Sequence, residues 1–204
     1  TVRQSIFDIF RFTYKYSLFY VRSRSELPII LNRRNLVNEG VEVGVWKGEF
    51  SNFLLSNWKG KVLHSIDPWR TFDDDTYIDD MNISQPEFDK IHDEVQSKLN
   101  RFRTRSNIVR NTSINAVQEF TDNSLDFVYL DGRHDYDGIA EDILAWYDKV
   151  KIGGIICGHD YLDGIIGKTD FGVKKAVDEF ASRRRLQVLV TKKDRYPSWF
   201  IVKL

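Results

Sequence analysis

From residue 36 onward the chain alternates short apolar runs with segments whose apolar residues recur every three or four positions, the pattern of a parallel sheet wrapped by helices. The runs Val41 to Val43, Val62 to Ile66, Asn107 to Val109, Leu125 to Leu130 and Ile155 to Cys157 predict five parallel strands. Between them, Phe88, Ile91, Val95, Leu99 and Phe102 form one apolar stripe after Pro86, as a core-facing helix requires. A helix over Phe50 to Trp58 stops at Gly60, and Gly153-Gly154 separates a helix carrying Ile139, Ile143 and Val150 from the strand at Ile155.

The chain ends differently. After a helix through Val173, Ala176, Val177 and Phe180, Leu186 to Thr191 and Trp199 to Leu204 both read as strands joined by a short polar link, which can connect only antiparallel neighbours. The expectation is an α/β chain with a mostly parallel seven-stranded sheet and a terminal antiparallel hairpin. The first 35 residues are read as an N-terminal helical extension, since Ser5 with Asp8 resembles a capping box and Ile6, Phe10 and Tyr14 share a helical face. Phe10, Phe12, Tyr14 and Tyr16 also alternate as a strand would. These aromatics either pack on the sheet or line a substrate pocket or dimer contact.

Composition narrows the function without naming it. Hydrophobic residues at 42% and charged residues at 29% exclude a disordered or collagen-like chain, and 30 Lys+Arg against 30 Asp+Glu leave no global field to attract nucleic acid or an anionic membrane. Arg183-Arg184-Arg185 and the group Lys98, Arg101, Arg103, Arg105 and Arg110 are short, so they read as solvated faces. Cys157 stands alone, which excludes an internal disulfide and a cysteine-based metal site. With neither a long apolar run nor a signal sequence, a cytoplasmic location is expected, without a membrane partner. The start at Thr1 leaves a processed product or an excised domain open.

Chemistry gathers at predicted strand ends. Gly40 to Gly48 reads as a strand entering a glycine turn that opens a helix, where the backbone can approach a ligand. It is not the dinucleotide fingerprint, because Val45 and Trp46 stand where a second glycine would. Asp67 ends the next strand 23 residues after Gly44. That is close to the roughly 20-residue offset of a ribose-binding acid, although an Asp before Pro68 can also simply cap a turn. Further on, Asp131 and His134 follow one strand and His159-Asp160 the next, and ligands of open α/β sheets lie at such carboxyl ends. Asp131 and Asp160 could hold a divalent cation through oxygen with His159 as a third ligand, or the group could be surface caps and ion pairs.

Taken together, Glu42 to Gly48, Asp67, Asp126 to Asp131 with Gly132-Arg133-His134-Asp135-Tyr136, Gly153-Gly154 with His159-Asp160-Tyr161, and Phe171 to Phe180 resemble the class I S-adenosylmethionine-dependent methyltransferases. The chain is most similar there to the small metal-dependent O-methyltransferases of the catechol and macrocin type, over residues 36 to 204. The resemblance implies a doubly wound Rossmann-like fold and methyl transfer from S-adenosylmethionine to the hydroxyl of a small-molecule acceptor such as a sugar, a phenol or another natural product. It places Glu42, Gly44 and Gly48 under the methionine part of the cofactor, Asp67 at its ribose and Thr112-Ser113 at its adenine. Asp131 counts both with the cofactor-binding residues and as a magnesium ligand, with His159 and Asp160 as the further ligands. His134, three residues after Asp131, corresponds to the general base, a task suited to an imidazole that ordinarily titrates near pH 6.5. His159 departs from the pattern, since that place is usually a carboxylate and magnesium prefers oxygen, which leaves the identity of the metal open.

Trp69 to Gln85, with Asp73, Asp74, Asp75, Asp79 and Asp80, is either a lid over the acceptor or a solvated acidic connector. A homodimer is the default assembly. A nicotinamide-dependent oxidoreductase and a nucleic-acid-binding module are the rival readings.

Overall fold

The computed structural model describes residues 21–72 and 81–204. The expected helical faces of Ile6, Phe10 and Tyr14, and the acidic run from Asp73 to Asp80, lie outside the described residues. Within them the chain runs α1 (Leu27–Arg33), β1 (Glu39–Val43), α2 (Glu49–Asn57), β2 (Val62–Asp67), α3 (Gln85–Leu99), β3 (Ser106–Arg110), α4 (Ser113–Ala116), β4 (Leu125–Leu130), α5 (Tyr136–Tyr147), β5 (Val150–Gly158), β6 (Asp163–Ile166), β7 (Thr169–Gly172), α6 (Val173–Arg184), β8 (Leu189–Val190) and β9 (Trp199–Val202).

Seven strands form one sheet in the order β3-β2-β1-β4-β5-β9-β8. Pairing is parallel from β3 through β5, and β9 runs antiparallel to both β5 and β8. The terminal hairpin is therefore as expected, with one reversed strand slotted beside β5. Alternating strand residues face opposite layers, as the two-residue period demands. Phe127, Tyr129, Ile155 and Cys157 pack with Leu27, Leu31, Leu54 and Val95 on the α1–α3 side. Val128, Leu130 and Ile156 pack with Ile139, Ile143, Trp146 and Val177 on the α4–α6 side. Leu27 and Leu31 are fully buried, so α1 belongs to the domain core although the sequence reading set it apart as an extension.

The α3 stripe is present: Phe88, Ile91, Val95 and Leu99 are buried, and Ser84 opens the helix with its backbone N–H donating to the Glu87 carboxylate at 3.2 Å. Phe102 falls in the 3-10 turn beyond the helix and packs at the core margin. Two expectations need correction. Val150 starts β5 and does not belong to α5, and Gly153-Gly154 lies inside β5. The register jumps there, from Leu125 opposite Val150 to Phe127 opposite Ile155. Gly153 takes a left-handed φ of 80°, and a Cβ on Gly154 would meet the Asp126 carbonyl at 2.8 Å, so the pair forms a bulge that only glycines fit. The other correction is the β6–β7 hairpin, which lies outside the main sheet. Its two-residue turn, Gly167-Lys168, was legible in principle as a hairpin signal.

Candidate active site

The carboxyl ends of β1, β2 and β4 meet at Gly44, whose N–H donates to the Ile66 carbonyl at 2.9 Å. Gly44 has a φ of 84°, and a Cβ there would sit 1.9 Å from the Asp131 carbonyl oxygen, so this turn and the Asp131 backbone can approach only through a glycine. Asp131 continues β4 by donating its N–H to the Val43 carbonyl at 2.8 Å. Gly48 follows with φ 72° as the N-cap of α2, where no side chain caps the helix.

Asp67, at the end of β2, holds the turn from the other side. Its Oδ2 accepts from the backbone N–H of Val45 and Trp46, both at 2.9 Å, and its Oδ1 from Trp69 N–H at 2.8 Å. Trp46 and Trp69 both have positive φ, 50° and 39°, which for bulky residues is strained and persists only when surrounding bonds impose it. The Trp69 indole adds to that constraint by donating to the Trp46 carbonyl at 2.9 Å. Burial raises the Asp67 pKa against the opposing pull of these amides. Sequence reasoning gave Asp67 either a ribose or a turn to hold, and the structure places it in the turn with both oxygens engaged.

Glu42 is buried beneath Gly44 on the α2 side. Burial pushes its pKa up to about 8, against the lowering effect of Ser51, whose hydroxyl donates to Oε2 at 2.5 Å. Ser65 donates in turn to Ser51 at 3.1 Å. Glu42 thus acts from below the glycine turn.

Four side chains converge where β4 and β5 end. His134 Nε2 lies 3.2 Å from Asp160 Oδ2, and His159 Nδ1 lies 2.9 Å from Asp160 Oδ1 and 3.8 Å from Asp131 Oδ1. Burial raises the Asp160 pKa, but the hydrogen bonds from His134 and His159 more than offset this and hold it below the ordinary carboxylate range. Asp131 moves the other way: burial dominates and raises it, with His159 opposing and the nearby Asp160 carboxylate reinforcing. Two carboxylates pushed apart in this manner beside imidazoles form a polarised acid–base cluster. Among the described residues, one set of three offers ligand atoms all within 4.8 Å of one another, and it is Asp131, His134 and Asp160. This set has His134 where His159 was expected. Two carboxylates and an imidazole suit a divalent transition ion at least as well as magnesium.

Thr112 and Ser113 are not part of this convergence. Thr112 caps α4 by accepting from Asn115 N–H at 3.4 Å. Ser113 donates to Asp142 at 2.5 Å and accepts from the Trp146 indole at 2.8 Å, which ties its hydroxyl to α5.

Two site residues were missed in the sequence. Phe171, on the hairpin, sets its ring 5.2 Å from that of His134, and Gly172 N–H donates to the His134 carbonyl at 2.9 Å, so β7 props the loop that carries the imidazole. Arg24 arrives from the segment before α1 and places Nη1 3.5 Å from Asp131 Oδ2. A lone arginine in a segment without regular pattern carried no signal.

The basic residues at and after the end of α3 are paired at the surface, with Arg105 partly buried. Lys98 pairs with Glu49 at 2.7 Å, Arg105 donates to the carbonyls of Gly60, Leu55 and Trp58, and Arg110 pairs with Asp89. No described helix is long and apolar enough to cross a membrane.

Comparison with known proteins bears on this geometry directly. A family model described as a methyltransferase domain matches residues 41–161, which spans the glycine turn, Asp67, Asp131, His134, His159 and Asp160. The chain belongs to this methyltransferase family. No curated protein sequence matches it. Among solved structures, it is similar to the O-methyltransferase from Bacillus cereus in complex with S-adenosylhomocysteine, with TM-score 0.61 and 12% identity over 98% of this chain and 90% of that one. It is similar also to the O-methyltransferase TomG from Streptomyces achromogenes, TM-score 0.58 and 12% identity over 89% and 80% of the two chains. An rRNA methylase from Streptococcus thermophilus matches with TM-score 0.57 and 12% identity over 92% and 99%. At these identities the likeness is one of fold, and it is the family model that favours a methyltransferase over the nicotinamide reading.

Proposed function

We propose that this methyltransferase moves the methyl group of S-adenosylmethionine to a hydroxyl oxygen of a small-molecule acceptor. The observation that carries the reading is the convergence of Asp131, His134, His159 and Asp160 beside the Gly44 turn. In the reaction the acceptor oxygen attacks the sulfonium methyl in line, the C–S bond breaks, and S-adenosylhomocysteine leaves. His134 takes the hydroxyl proton at the ring nitrogen not engaged with Asp160, while its Nε2–H, 3.2 Å from Asp160 Oδ2, donates to that carboxylate, which stabilises the imidazolium.

The donor is already reactive, so alignment matters most. Fixing two substrates can remove roughly 7–11 kcal/mol of barrier, against roughly 10²–10⁴-fold from a placed base. The rigid turn clamped by Asp67 supports the first contribution and His134 the second. The carboxylates of Asp131 and Asp160 fit a divalent cation, which when bound would supply Lewis-acid help by lowering the pKa of the acceptor hydroxyl, leaving the His134 imidazole to take the proton. The salt bridges of Lys98 and Arg110 and the carbonyl contacts of Arg105 leave fewer open cations on that face, which supports a small acceptor over a nucleic acid.

Incubation with methyl-labelled S-adenosylmethionine and a panel of sugars, catechols and simple phenols tests the proposal. Label is expected as a methyl ether on a hydroxyl compound. Label confined to amines or to RNA would contradict it.

A further inference from the structure

Arg24 is fixed by its backbone and left loose at its tip. Its N–H donates to Asp194 Oδ2 at 2.9 Å, Ser23 donates to Asp194 Oδ1 at 2.6 Å, and the Arg22 carbonyl accepts from Lys192 and Lys193. The segment is thereby docked on the loop between β8 and β9. The guanidinium lies 4.9 Å over the Phe50 ring, on the second residue of α2, and its contact with Asp131 is at the outer limit of a hydrogen bond. The side chain remains 38% exposed. Among the described residues the five N–H donors meet the Asp131 carboxylate at that long distance and the nearby Tyr129 hydroxyl. The buried hydroxyls of Tyr129 and Ser198 lie close enough to each other and to Arg24 to interact, yet neither makes a hydrogen bond of good geometry. Such orphaned polar groups call for a ligand or water.

Asp131 divides the site. Its Oδ1 faces His159 and the reacting cluster, while its Oδ2 faces Arg24, whose guanidinium lies over Phe50 at the start of α2 just after Gly48. Arg24 therefore lies at the glycine-turn end, away from where a proton would be taken. A planar guanidinium with open donors matches a carboxylate, which it can grip with two parallel bonds. We infer that Arg24 is the seat for the carboxylate at the amino-acid end of the S-adenosyl cofactor, releasing Asp131 Oδ2 when the cofactor enters. The inference rests on the methyltransferase reading above.

Calorimetry with two ligands tests it: S-adenosylhomocysteine, and 5′-methylthioadenosine, which keeps the adenosine and thioether but lacks the carboxylate. Arg24→Gln should weaken S-adenosylhomocysteine by roughly 10–100-fold, the range for a charge-assisted contact, and leave methylthioadenosine unchanged. Arg24→Lys should fall between, and Asp194→Asn, which loosens the backbone under Arg24, should show the same selectivity to a smaller degree. The last two carry the test if Arg24→Gln fails to fold. Equal loss of both ligands, an unchanged S-adenosylhomocysteine affinity, or an effect only on acceptor KM would overturn the assignment. A wild-type protein that binds neither ligand would instead sink the methyltransferase reading itself.

Discussion

Asp67 ties the Gly44 turn to β2 through the Val45 and Trp46 amides, whereas Asp160 is held across the mouth of the site by two imidazoles. The first arrangement fixes main chain and changes little with pH. The second depends on which groups carry protons, so its geometry and its chemistry are the same thing. A transferase of this kind needs both, a stiff cradle for the donor and a titratable cluster for the acceptor, and here they meet at the Gly44–Asp131 contact.

Substitutions can separate the two halves. His134→Ala should have the largest kinetic effect, lowering kcat by roughly 10²–10⁴-fold while S-adenosylhomocysteine affinity in calorimetry stays unchanged. A parallel loss of affinity would mean that the two halves are not separable. Gly44→Ala attacks their shared point: with φ 84° and the Asp131 carbonyl 1.9 Å from the new Cβ, it should cost about 3 kcal/mol or more in denaturant unfolding. Asp67→Ala leaves three amides without their acceptor and should lose about 2 kcal/mol of stability. Cofactor affinity should drop with it, and turnover at saturating cofactor should be largely kept. Loss of kcat with intact affinity would reverse the roles of the halves.

Glu42 gives the smallest and most specific effect. Its folded pKa of about 8 lies above the ordinary 4.5, so the folded state keeps a proton that the unfolded chain releases. Its contribution is full below about pH 4.5 and is lost as pH rises toward 8. Glu42→Gln keeps the acceptor for Ser51, should flatten that slope in Tm against pH, and should be the more stable form at pH 8. An unchanged slope would show that Glu42 ionises freely in the folded state.

The cradle was more legible in the sequence than the cluster. Gly44, Gly48 and Asp67 follow local rules of strand, turn and offset, and the strand runs predicted the main sheet because each apolar alternation answers to one of two packed layers. What escaped was set by contacts distant in sequence. The inward capture of Ser113 by Asp142 and Trp146 depends on how α5 docks, and the place of His134 in the three-ligand group depends on how the loops after β4 and β5 face each other. Arg24 enters the site only because Asp194, 170 positions away, grips its backbone. The Gly153-Gly154 bulge was mistaken for a loop, since glycine pairs mark both.

Calorimetric titration of the purified wild-type protein with S-adenosylhomocysteine and, separately, with NAD tests the central claim most directly. Saturable one-site binding of the first and none of the second is the predicted result. Binding of NAD, or indifference to S-adenosylhomocysteine, would contradict it.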